Sequence, residues 1–377
     1  MGLASWAQAP LTGLLASVLA GPAPAPRTPD TQGGSVETAG GLYVRSDTDH
    51  TTVVSPRVRV AVPFNEDRGR VDLVYAVDVW TSASVDVRTA ASARVTEQRD
   101  EVDGSLQHAW GSTTAAVGYR FSHENDYVSN SGRASIETSL ADKTITLRGQ
   151  IMGGGDVVGR AGDVAFSRPI AYGGGFLSYT QVLTPTTVAA LTADLRLQQG
   201  YLASPYRWVS LGGGGGCQGS AGLCIPEQHP GRRVRVASVA RLVQALSPRW
   251  SLHLAYRLYG DSWRVLGHTG RATVRFAPRP SWSLGLELRG YTQRGAAFYR
   301  RVYGDSGLVG FVTRDRELGP VWNARAGLTS ENRWSIGRRI ELVLGGLVSA
   351  AHYRYPEFIG LTGVTAFELS TSLGVAL

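Results

Sequence analysis

The chain has 377 residues, of which 43% are apolar and 18% charged, with a formal net charge of +8. The apolar content excludes a mainly disordered chain. A mean hydropathy of −0.09, without any uninterrupted apolar run of 18 residues, excludes a bundle of transmembrane helices. The basic charge is concentrated after residue 231, where arginines alternate with apolar residues along the chain. That spacing argues against a nucleic-acid-binding arm and leaves anionic lipid or an anion-lined cavity as partners of the basic half.

The N-terminal residues are typical of an exported protein. A short apolar segment over residues 11–20 is followed by a Gly/Pro/Ala stretch, and we predict a secretory signal peptide over residues 1–25. The basic start of such a signal is missing, because no Lys or Arg precedes Arg27, so a flexible Ala/Pro tail is the alternative. We expect residues 26–40 to form a flexible linker and residues 41–377 to form a single domain.

Alternation of apolar and polar residues with period two dominates the chain beyond about residue 40. It is clearest in residues 187–198, 250–259 and 281–289. Period two predicts β-strands, since successive side chains of a strand leave opposite faces. These strands are about as long as the roughly 9 to 11 residues that a tilted strand needs to cross a bilayer. The last segment also alternates, and it ends at the apolar residue Leu377.

The connections between these strands predict how the sheet closes. Short turns are expected at residues 99–104, 140–142, 183–186, 246–249, 277–280 and 329–333. Long loops are expected at residues 122–130, 153–169, 200–232, 260–267, 304–317 and 351–362. Strict alternation of short and long connections is typical of outer-membrane barrels. We therefore predict an all-β fold, a transmembrane antiparallel β-barrel of about 16 strands in the bacterial outer membrane, with short periplasmic turns and long extracellular loops.

Three of the expected strands alternate poorly, and the two cysteines lie in the longest loop. The weak strands are residues 41–46, 88–98 and 233–245. Cys217 and Cys224 lie in a glycine-rich stretch, where an oxidising envelope favours a local disulfide. A metal site would need further ligands, and only His229 is near in sequence, so no metal is predicted there.

Several short motifs occur in a fixed order along the chain. They include residues 121–127 (FSHENDY), 200–207 (GYLASPYR), 256–263 (YRLYGDSW) and 289–293 (RGYTQ), and Asp78 is followed by a small Ser/Ala turn. Together they resemble the domain of unknown function 3570 family of predicted bacterial outer-membrane β-barrel proteins. Lys143-Thr144 departs from that pattern, because the family's asparagine is absent. The resemblance implies an envelope barrel, and it does not imply a chemistry.

Most of the polar and aromatic residues of these motifs fall near the long-loop ends of the predicted strands. The candidate binding residues at this rim and in the lumen are Asp78, Glu124, Asp126, Tyr201, Tyr206, Arg207, Glu227, Arg257, Asp261, Trp263, His268, Arg289 and Tyr299. In one interpretation the carboxylates pair with Arg207, Arg232, Arg233, Arg257 and Arg294 to brace the loops. In the other they hold Ca²⁺ or Mg²⁺, or Arg and Tyr side chains bind an anion or a sugar. We predict no required cofactor.

The predicted function is a porin-like channel or a structural envelope barrel with an arginine-rich lumen. Its lumen would be lined by Arg196, Arg257, Arg275 and Arg289, and residues 200–232 are the candidate plug. A loop-mediated binding barrel for an envelope lipoprotein or redox partner is the alternative. An outer-membrane hydrolase ranks third, because Asp261, Ser262 and His268 are near in sequence but no established catalytic motif is present.

The expected partners follow from this location. They are outer-membrane lipid and lipopolysaccharide, the barrel-assembly machinery, a small anionic or sugar solute and an envelope lipoprotein, with no nucleic acid. Aromatic residues near the strand ends are expected to be interfacial anchors rather than ligands, namely Trp250, Trp282, Tyr291, Trp322 and Trp334.

Overall fold

Sixteen antiparallel strands close into one barrel, and the predicted fold class is confirmed. The computed structural model describes residues 35–82, 95–212, 217, 224–304, 310–337 and 340–377. The signal peptide predicted for residues 1–25, and the linker predicted for residues 26–40 as far as residue 34, lie outside the described residues. Among those described, no helix is long and apolar enough to cross a membrane.

The barrel strands are 11 to 17 residues long. The first nine are β1 Glu37–Asp47, β2 Thr51–Phe64, β3 Gly69–Ser82, β4 Val95–Trp110, β5 Thr113–Glu124, β6 Tyr127–Leu140, β7 Ile145–Val158, β8 Arg168–Thr184 and β9 Thr187–Gly200. Two short strands, β10 Trp208–Ser210 and β11 Cys224–Pro226, form a separate hairpin. The remaining barrel strands are β12 Arg232–Ser247, β13 Trp250–Asp261, β14 Leu266–Arg279, β15 Trp282–Arg294, β16 Val321–Ile336, β17 Ile340–Arg354 and β18 Gly363–Ala376.

Each barrel strand pairs with its neighbours in sequence, and two further pairings complete the circle. Strand β9 pairs directly with β12, because the β10–β11 hairpin belongs to the loop between them. Strand β1 pairs with β18, from Glu37 opposite Ala376 to Asp47 opposite Ala366. This pairing leaves no edge strand, so every central backbone donor and acceptor finds a partner in the wall.

The two faces of the wall differ in polarity as the alternation predicts. Apolar side chains point outward and are strongly exposed, for example Val58, Leu73 and Leu328 at 54%, 53% and 65%. Charged side chains occupy the alternate positions and point into the lumen, where Arg59 contacts Asp72 and Arg133 contacts Asp103. These contacts inside the wall are polar. The buried apolar clusters lie instead among the loops at one rim.

Connections at the two ends of the barrel differ in size, although less strictly than predicted. At the end that we call the turn rim, strands are joined through residues 65–68, 111–112, 141–144, 185–186, 248–249, 280–281 and 337–339, and the start of β1 and the end of β18 lie there. At the opposite end, the loop rim, the connections are residues 48–50, 83–94, 125–126, 159–167, 201–231, 262–265, 295–320 and 355–362. The long loop expected at residues 122–130 is wrong, since Glu124 pairs with Tyr127 across a two-residue turn. The long loop expected at residues 260–267 is also wrong, since only residues 262–265 join β13 to β14.

Two of the predicted short turns are also wrong. Residues 99–104 lie inside β4, where Arg99 is opposite Asp78. Residues 329–333 lie inside β16, where Glu331 is opposite Ser283 and Gly345. Both segments are polar because they face the lumen, and a run of charges there resembles a turn. The strand expected at residues 88–98 begins at Val95 in the described part of the chain.

Four of the five predicted aromatic anchors lie on the outer face. Trp250, Trp282, Trp322 and Trp334 point outward and are 37–47% exposed. Tyr291 is a correction, because it points into the lumen and its hydroxyl donates a hydrogen bond to Gln293. Its position follows from the alternation of β15, in which Leu286 and Leu288 point outward and Glu287 and Arg289 point inward.

Candidate functional site: a charged lumen beneath a loop cap

Two long loops at the loop rim pack against each other and form a structure that we call the loop cap, residues 201–231 and 295–320. Backbone hydrogen bonds join the loops in both directions between Gln228 and Val312, at 3.0 and 2.9 Å. A small apolar core lies between them, made of Val209, Leu211, Tyr303 and Val312. Val312 is fully buried. The loop cap is therefore a packed element rather than two independent loops.

Buried charges form the second connection between the two loops. Arg207 of the first loop lies 2.7 Å from Asp315 of the second and 3.9 Å from Glu227, and all three side chains are at most 7% exposed. Glu227 also accepts hydrogen bonds from the Thr313 hydroxyl and from the Arg314 backbone N–H. Because buried charges are tolerated only when they are paired, these residues hold the loops in one arrangement.

The environment of Glu227 favours its charged form. Burial alone would raise the pKa of this carboxyl, but hydrogen bonding and charge from His229, the Arg207 guanidinium and the Thr313 hydroxyl together lower it to about 2. His229 Nδ1 lies 2.8 Å from the Leu202 carbonyl oxygen, so it must donate there. Its Nε2 lies 3.4 Å from a Glu227 oxygen. Glu227 is thus a buried anion at the centre of the loop cap.

The hairpin of the first loop carries the disulfide. Cys217 and Cys224 are bonded to each other, and Cys224 pairs with Ser210 between β10 and β11. Both cysteines are thus used in a local link inside the loop cap. Neither cysteine is a free thiol, and the described residues contain no other cysteine.

The loop cap crosses the mouth of the barrel. The hydroxyl of Tyr206 donates to Asp126 in the β5–β6 turn, and the next residue, Arg207, contacts Asp315 in the β15–β16 loop. The strand ends that carry these two connections are eight strands apart in the sixteen-strand circle, on opposite sides of the barrel. Because Asp126 lies in a two-residue turn and Asp315 lies in a long loop, the long loop must extend from its own side of the mouth towards the other.

Further contacts attach the loop cap to other parts of the loop rim. Arg316 lies 2.5 Å from Asp49 in the β1–β2 turn, and the Tyr299 hydroxyl donates to the Glu357 carbonyl between β17 and β18. Trp263, between β13 and β14, is 3% exposed in an apolar cluster that includes Tyr299 and Leu202. The loop cap is thus fixed at several positions around the mouth.

Below the loop cap, one side of the lumen wall is strongly basic. From β12 to β16 the inward positions carry nine arginines and three carboxylates. The arginines are Arg233, Arg235, Arg241, Arg257, Arg271, Arg275, Arg289, Arg325 and Arg333, and the carboxylates are Asp261, Glu287 and Glu331. Among the described residues, no carboxylate lies within 4.0 Å of four of these arginines. The four are Arg241, Arg257, Arg275 and Arg289.

Three arginines stand side by side in this basic wall. Arg271, Arg289 and Arg325 are directly opposite one another on β14, β15 and β16. Like charges in register repel each other. Arg325 is compensated by Glu287 and Glu368, at 3.2 and 3.0 Å. Arg289 instead donates to the Asn323 side chain and lies over the Tyr291 ring.

The opposite side of the wall is nearly neutral. From β2 to β7 the inward positions carry seven arginines and eight carboxylates. Many of them are paired, as in Arg70 with Glu37 at 2.7 Å and Arg120 with Glu101. The arginines are Arg57, Arg59, Arg70, Arg99, Arg120, Arg133 and Arg148, and the carboxylates are Asp72, Asp78, Glu97, Glu101, Asp103, Glu124, Glu137 and Asp156. An anion inside the barrel is therefore attracted towards β12–β16.

The structure brings only some of the predicted site residues together. Arg207 and Glu227 meet in the loop cap, and Tyr206 contacts Asp126. The inward lining predicted at Arg196, Arg257, Arg275 and Arg289 agrees with the alternation of their strands. Asp78 contacts Arg99 on the wall, and Tyr201 packs edge-on against Phe166.

Asp261 and His268 do not form a joint site. Asp261 accepts from Arg233 and from the backbone N–H groups of Trp263 and Val265, so it braces the β13–β14 turn. The His268 ring points to the outer face, where Nδ1 is 2.7 Å from the hydroxyl of Tyr256, itself 49% exposed. The two side chains lie on opposite faces of the wall, which does not fit a shared catalytic or binding role. Trp263 and Tyr299 are buried packing residues rather than exposed ligands.

The bracing interpretation paired five arginines with carboxylates, and in the described part of the chain only two of them make such a contact. Arg207 and Arg233 contact carboxylates. Arg232 donates to Gln199, and Arg294 donates to the Arg264 carbonyl. Arg257 lies over the Tyr259 ring.

Four residues of these contacts could not be identified from the sequence, namely Glu97, Thr313, Asp315 and Arg316. Their partners are far away in the chain, and Arg316 and Asp49 are separated by 267 residues. No local spacing signals such contacts. Glu97 comes close to Glu124 and Asp126 because β4 and β5 are neighbours at the loop rim.

Comparisons with known proteins support the fold and the family. Residues 171–348 match the model of the family described as "Protein of unknown function (DUF3570)", so the family resemblance is confirmed over this stretch. The motif at residues 121–127 and Asp78 lie outside it. No curated protein matches this sequence.

Solved structures that are similar to this chain are outer-membrane proteins. A bacterial polysaccharide outer membrane secretin shares 8% identity with a TM-score of 0.54, and the alignment covers 91% of this chain and 99% of the secretin. The ferric enterobactin receptor of Pseudomonas aeruginosa shares 9% identity at 0.46, covering 86% of this chain and 55% of the receptor. CdiB from Acinetobacter baumannii shares 10% at 0.48, covering 89% and 60%. The chain thus spans little more than half of the receptor's length, and the secretin likeness shows the fold alone.

Proposed function

We propose that this barrel is a channel of the bacterial outer membrane that passes small anionic solutes, and that its loop cap restricts entry. The observation that carries the proposal is the unequal charge of the lumen wall. Nine inward arginines on β12–β16 are opposed by three carboxylates, whereas the facing wall is close to neutral.

The unpaired arginines favour anions over cations. Arg241, Arg257, Arg275 and Arg289 have no carboxylate partner in the described part of the chain. Guanidinium groups remain charged at every physiological pH and bind carboxylates and phosphates through two donors at once. A barrel of sixteen strands is wide enough to leave an aqueous path. A row of fixed positive charges along such a path selects by sign.

The proposed location follows from the outer face. Its strands carry exposed apolar side chains, with tryptophans near the strand ends, which is the surface that a lipid bilayer requires. In this location the turn rim, with the start of β1 and the end of β18, faces the periplasm, and the loop cap faces outward. The secretory signal predicted over residues 1–25 would direct the chain there.

The direct test is the reversal potential of the purified, folded chain in a planar bilayer under a KCl gradient. We expect chloride to be preferred, and we expect Arg289→Glu to reduce that preference because it inverts a charge on the lumen wall. Arg68→Glu makes the same change in an exposed turn, where Arg68 is 57% exposed, and should leave selectivity unchanged. A preference for potassium, or the same loss of selectivity in both variants, would contradict the proposal.

A second candidate is a binding barrel that recruits an envelope partner through the loop cap. Three large apolar side chains of the loop cap are exposed, Trp208 at 44%, Val302 at 50% and Phe311 at 50%. Large exposed apolar side chains favour protein contacts where they belong to one contiguous patch. Photo-crosslinking from position 311, compared with Glu66 at the turn rim, tests this candidate. Equal crosslinking from both positions would count against it.

A further inference from the structure

A carboxylate cluster lies at the loop rim where β4 and β5 end. Glu97, Glu124 and Asp126 each place one carboxylate oxygen within 4.8 Å of the others. Glu97 lies near the start of β4, Glu124 is the last residue of β5, and Asp126 follows in the β5–β6 turn. Two oxygens on opposite sides of a calcium ion are about 4.6 to 5.2 Å apart, because each Ca²⁺–O distance is about 2.3 to 2.6 Å.

The unusual member of this cluster is Glu124. Glu124 is 5% exposed, and its Oε2 atom is buried without a hydrogen-bond partner. A buried carboxylate oxygen without a partner costs free energy and calls for an explanation, for which a bound ion is one. Glu124 therefore provides an observation that is independent of the clustering itself.

The neighbouring cations are already used by other carboxylates. Arg99, on the inward face of β4, contacts Asp78 and lies 3.4 Å from Glu101. Arg120 on β5 contacts Glu101 as well. Glu124 lies within 4.0 Å of neither arginine, so neither of them compensates its buried carboxylate.

We propose that Glu97, Glu124 and Asp126 bind a Ca²⁺ ion. Calcium suits the cluster because it takes carboxylate oxygens in irregular geometry, and these ligands come from two strands and a turn. The site does not depend on what passes through the lumen. It has one structural consequence, since Asp126 also accepts the hydrogen bond from Tyr206 of the loop cap. A bound ion would hold Asp126 in place and thereby hold one attachment point of the loop cap.

Isothermal titration calorimetry on the purified full chain in detergent, after chelation, tests the site with CaCl₂ as titrant. We expect one Ca²⁺ per chain with a Kd of about 10⁻⁴ to 10⁻³ M, the range of extracellular calcium sites. Glu124→Gln keeps the shape of the side chain and should weaken binding at least roughly tenfold by removing one charged ligand. Glu137→Gln is the matched control, because Glu137 is an inward carboxylate of β6 near the turn rim, 49% exposed.

A second measurement separates a ligand from a merely buried acid. If Glu124 binds Ca²⁺, calcium raises the unfolding temperature of the wild-type chain and of Glu137→Gln by a similar amount, and raises that of Glu124→Gln less. The heat-dependent shift in gel mobility of the barrel reports unfolding and also shows that each variant is folded. The proposal is overturned if the wild-type chain binds no Ca²⁺ at about 10 mM, well above the expected Kd. It is also overturned if Glu124→Gln binds as tightly as Glu137→Gln. Either result leaves the reversal-potential test unaffected.

Discussion

Replacement of Arg207 by alanine should open the loop cap. Arg207 links its two loops through Asp315 at 2.7 Å and Glu227 at 3.9 Å, and its side chain is 7% exposed. The substitution leaves two buried carboxylates that have lost their shared cation. Removing one partner of a buried ion pair costs about 3–5 kcal/mol, because the remaining charge is no longer compensated.

A change of that size favours the open arrangement by roughly a hundredfold to a few thousandfold, since every 1.4 kcal/mol is tenfold. The effect should be local, because Arg207 belongs to the loop cap and the wall keeps its own ladder of hydrogen bonds. We therefore expect Arg207→Ala to remain a folded barrel with a larger and more frequent single-channel current than the wild type. Its residues 201–231 should also be cleaved faster by added protease.

Arg68→Ala is the control for this experiment. Arg68 pairs with Glu66 at 3.8 Å in an exposed turn, where an ion pair contributes little. If Arg207→Ala and Arg68→Ala show the same current and the same cleavage rate, the loops are not held across the mouth by this contact. In that case the assignment of the loop cap as the restriction is wrong.

Three further predictions concern the loop cap. The Glu227 pKa of about 2 lies below the ordinary value of 4.5, so its stabilisation is complete above about pH 4.5 and is lost as the pH falls towards 2. Cleavage by an acid-tolerant protease should accordingly rise only below about pH 4, and Glu227→Gln should be sensitive at neutral pH too. Reduction of the Cys217–Cys224 disulfide should destabilise the β10–β11 hairpin by about 2–4 kcal/mol and so increase cleavage between the two strands. The gel mobility of the barrel should not change. Unchanged cleavage would show that the hairpin is stable without the disulfide. Trp263→Ala should destabilise the loop cap by about 3–5 kcal/mol, measured as a lower temperature of loop cleavage, because it empties a buried cluster; an unchanged temperature would contradict that packing.

Much of the barrel wall could be predicted from the sequence, because one face of each strand is apolar and the other is polar. The segments at residues 187–198, 250–259 and 281–289 lie within or next to β9, β13 and β15, and the count of sixteen strands is confirmed. The failures occurred where lumen residues carry consecutive charges. Residues 99–104 were predicted as a turn, but Arg99, Glu101 and Asp103 are partnered across neighbouring strands.

The loop cap could be predicted only in part. The sequence indicates a long loop at residues 200–232 with two cysteines, but nothing in it shows that this loop packs against residues 295–320. Arg207 and Asp315, or Glu227 and Thr313, come together only because the circular order of strands brings distant loops to one rim. His268 shows the opposite case. It is near Asp261 in sequence, but the two side chains lie on opposite faces of the wall.

The measurement that tests the central claim most directly is the reaction of a lumen cysteine with charged thiol reagents. Thr273 lies between Arg271 and Arg275 on the inward face of β14, and the native cysteines are bonded to each other. Thr273→Cys should react faster with an anionic methanethiosulfonate than with a cationic one, and the modification should reduce the current. Val274→Cys, on the outer face, should not react from the aqueous phase. Equal rates for both reagents at position 273, or faster reaction with the cation, would contradict an anion pathway along the basic wall.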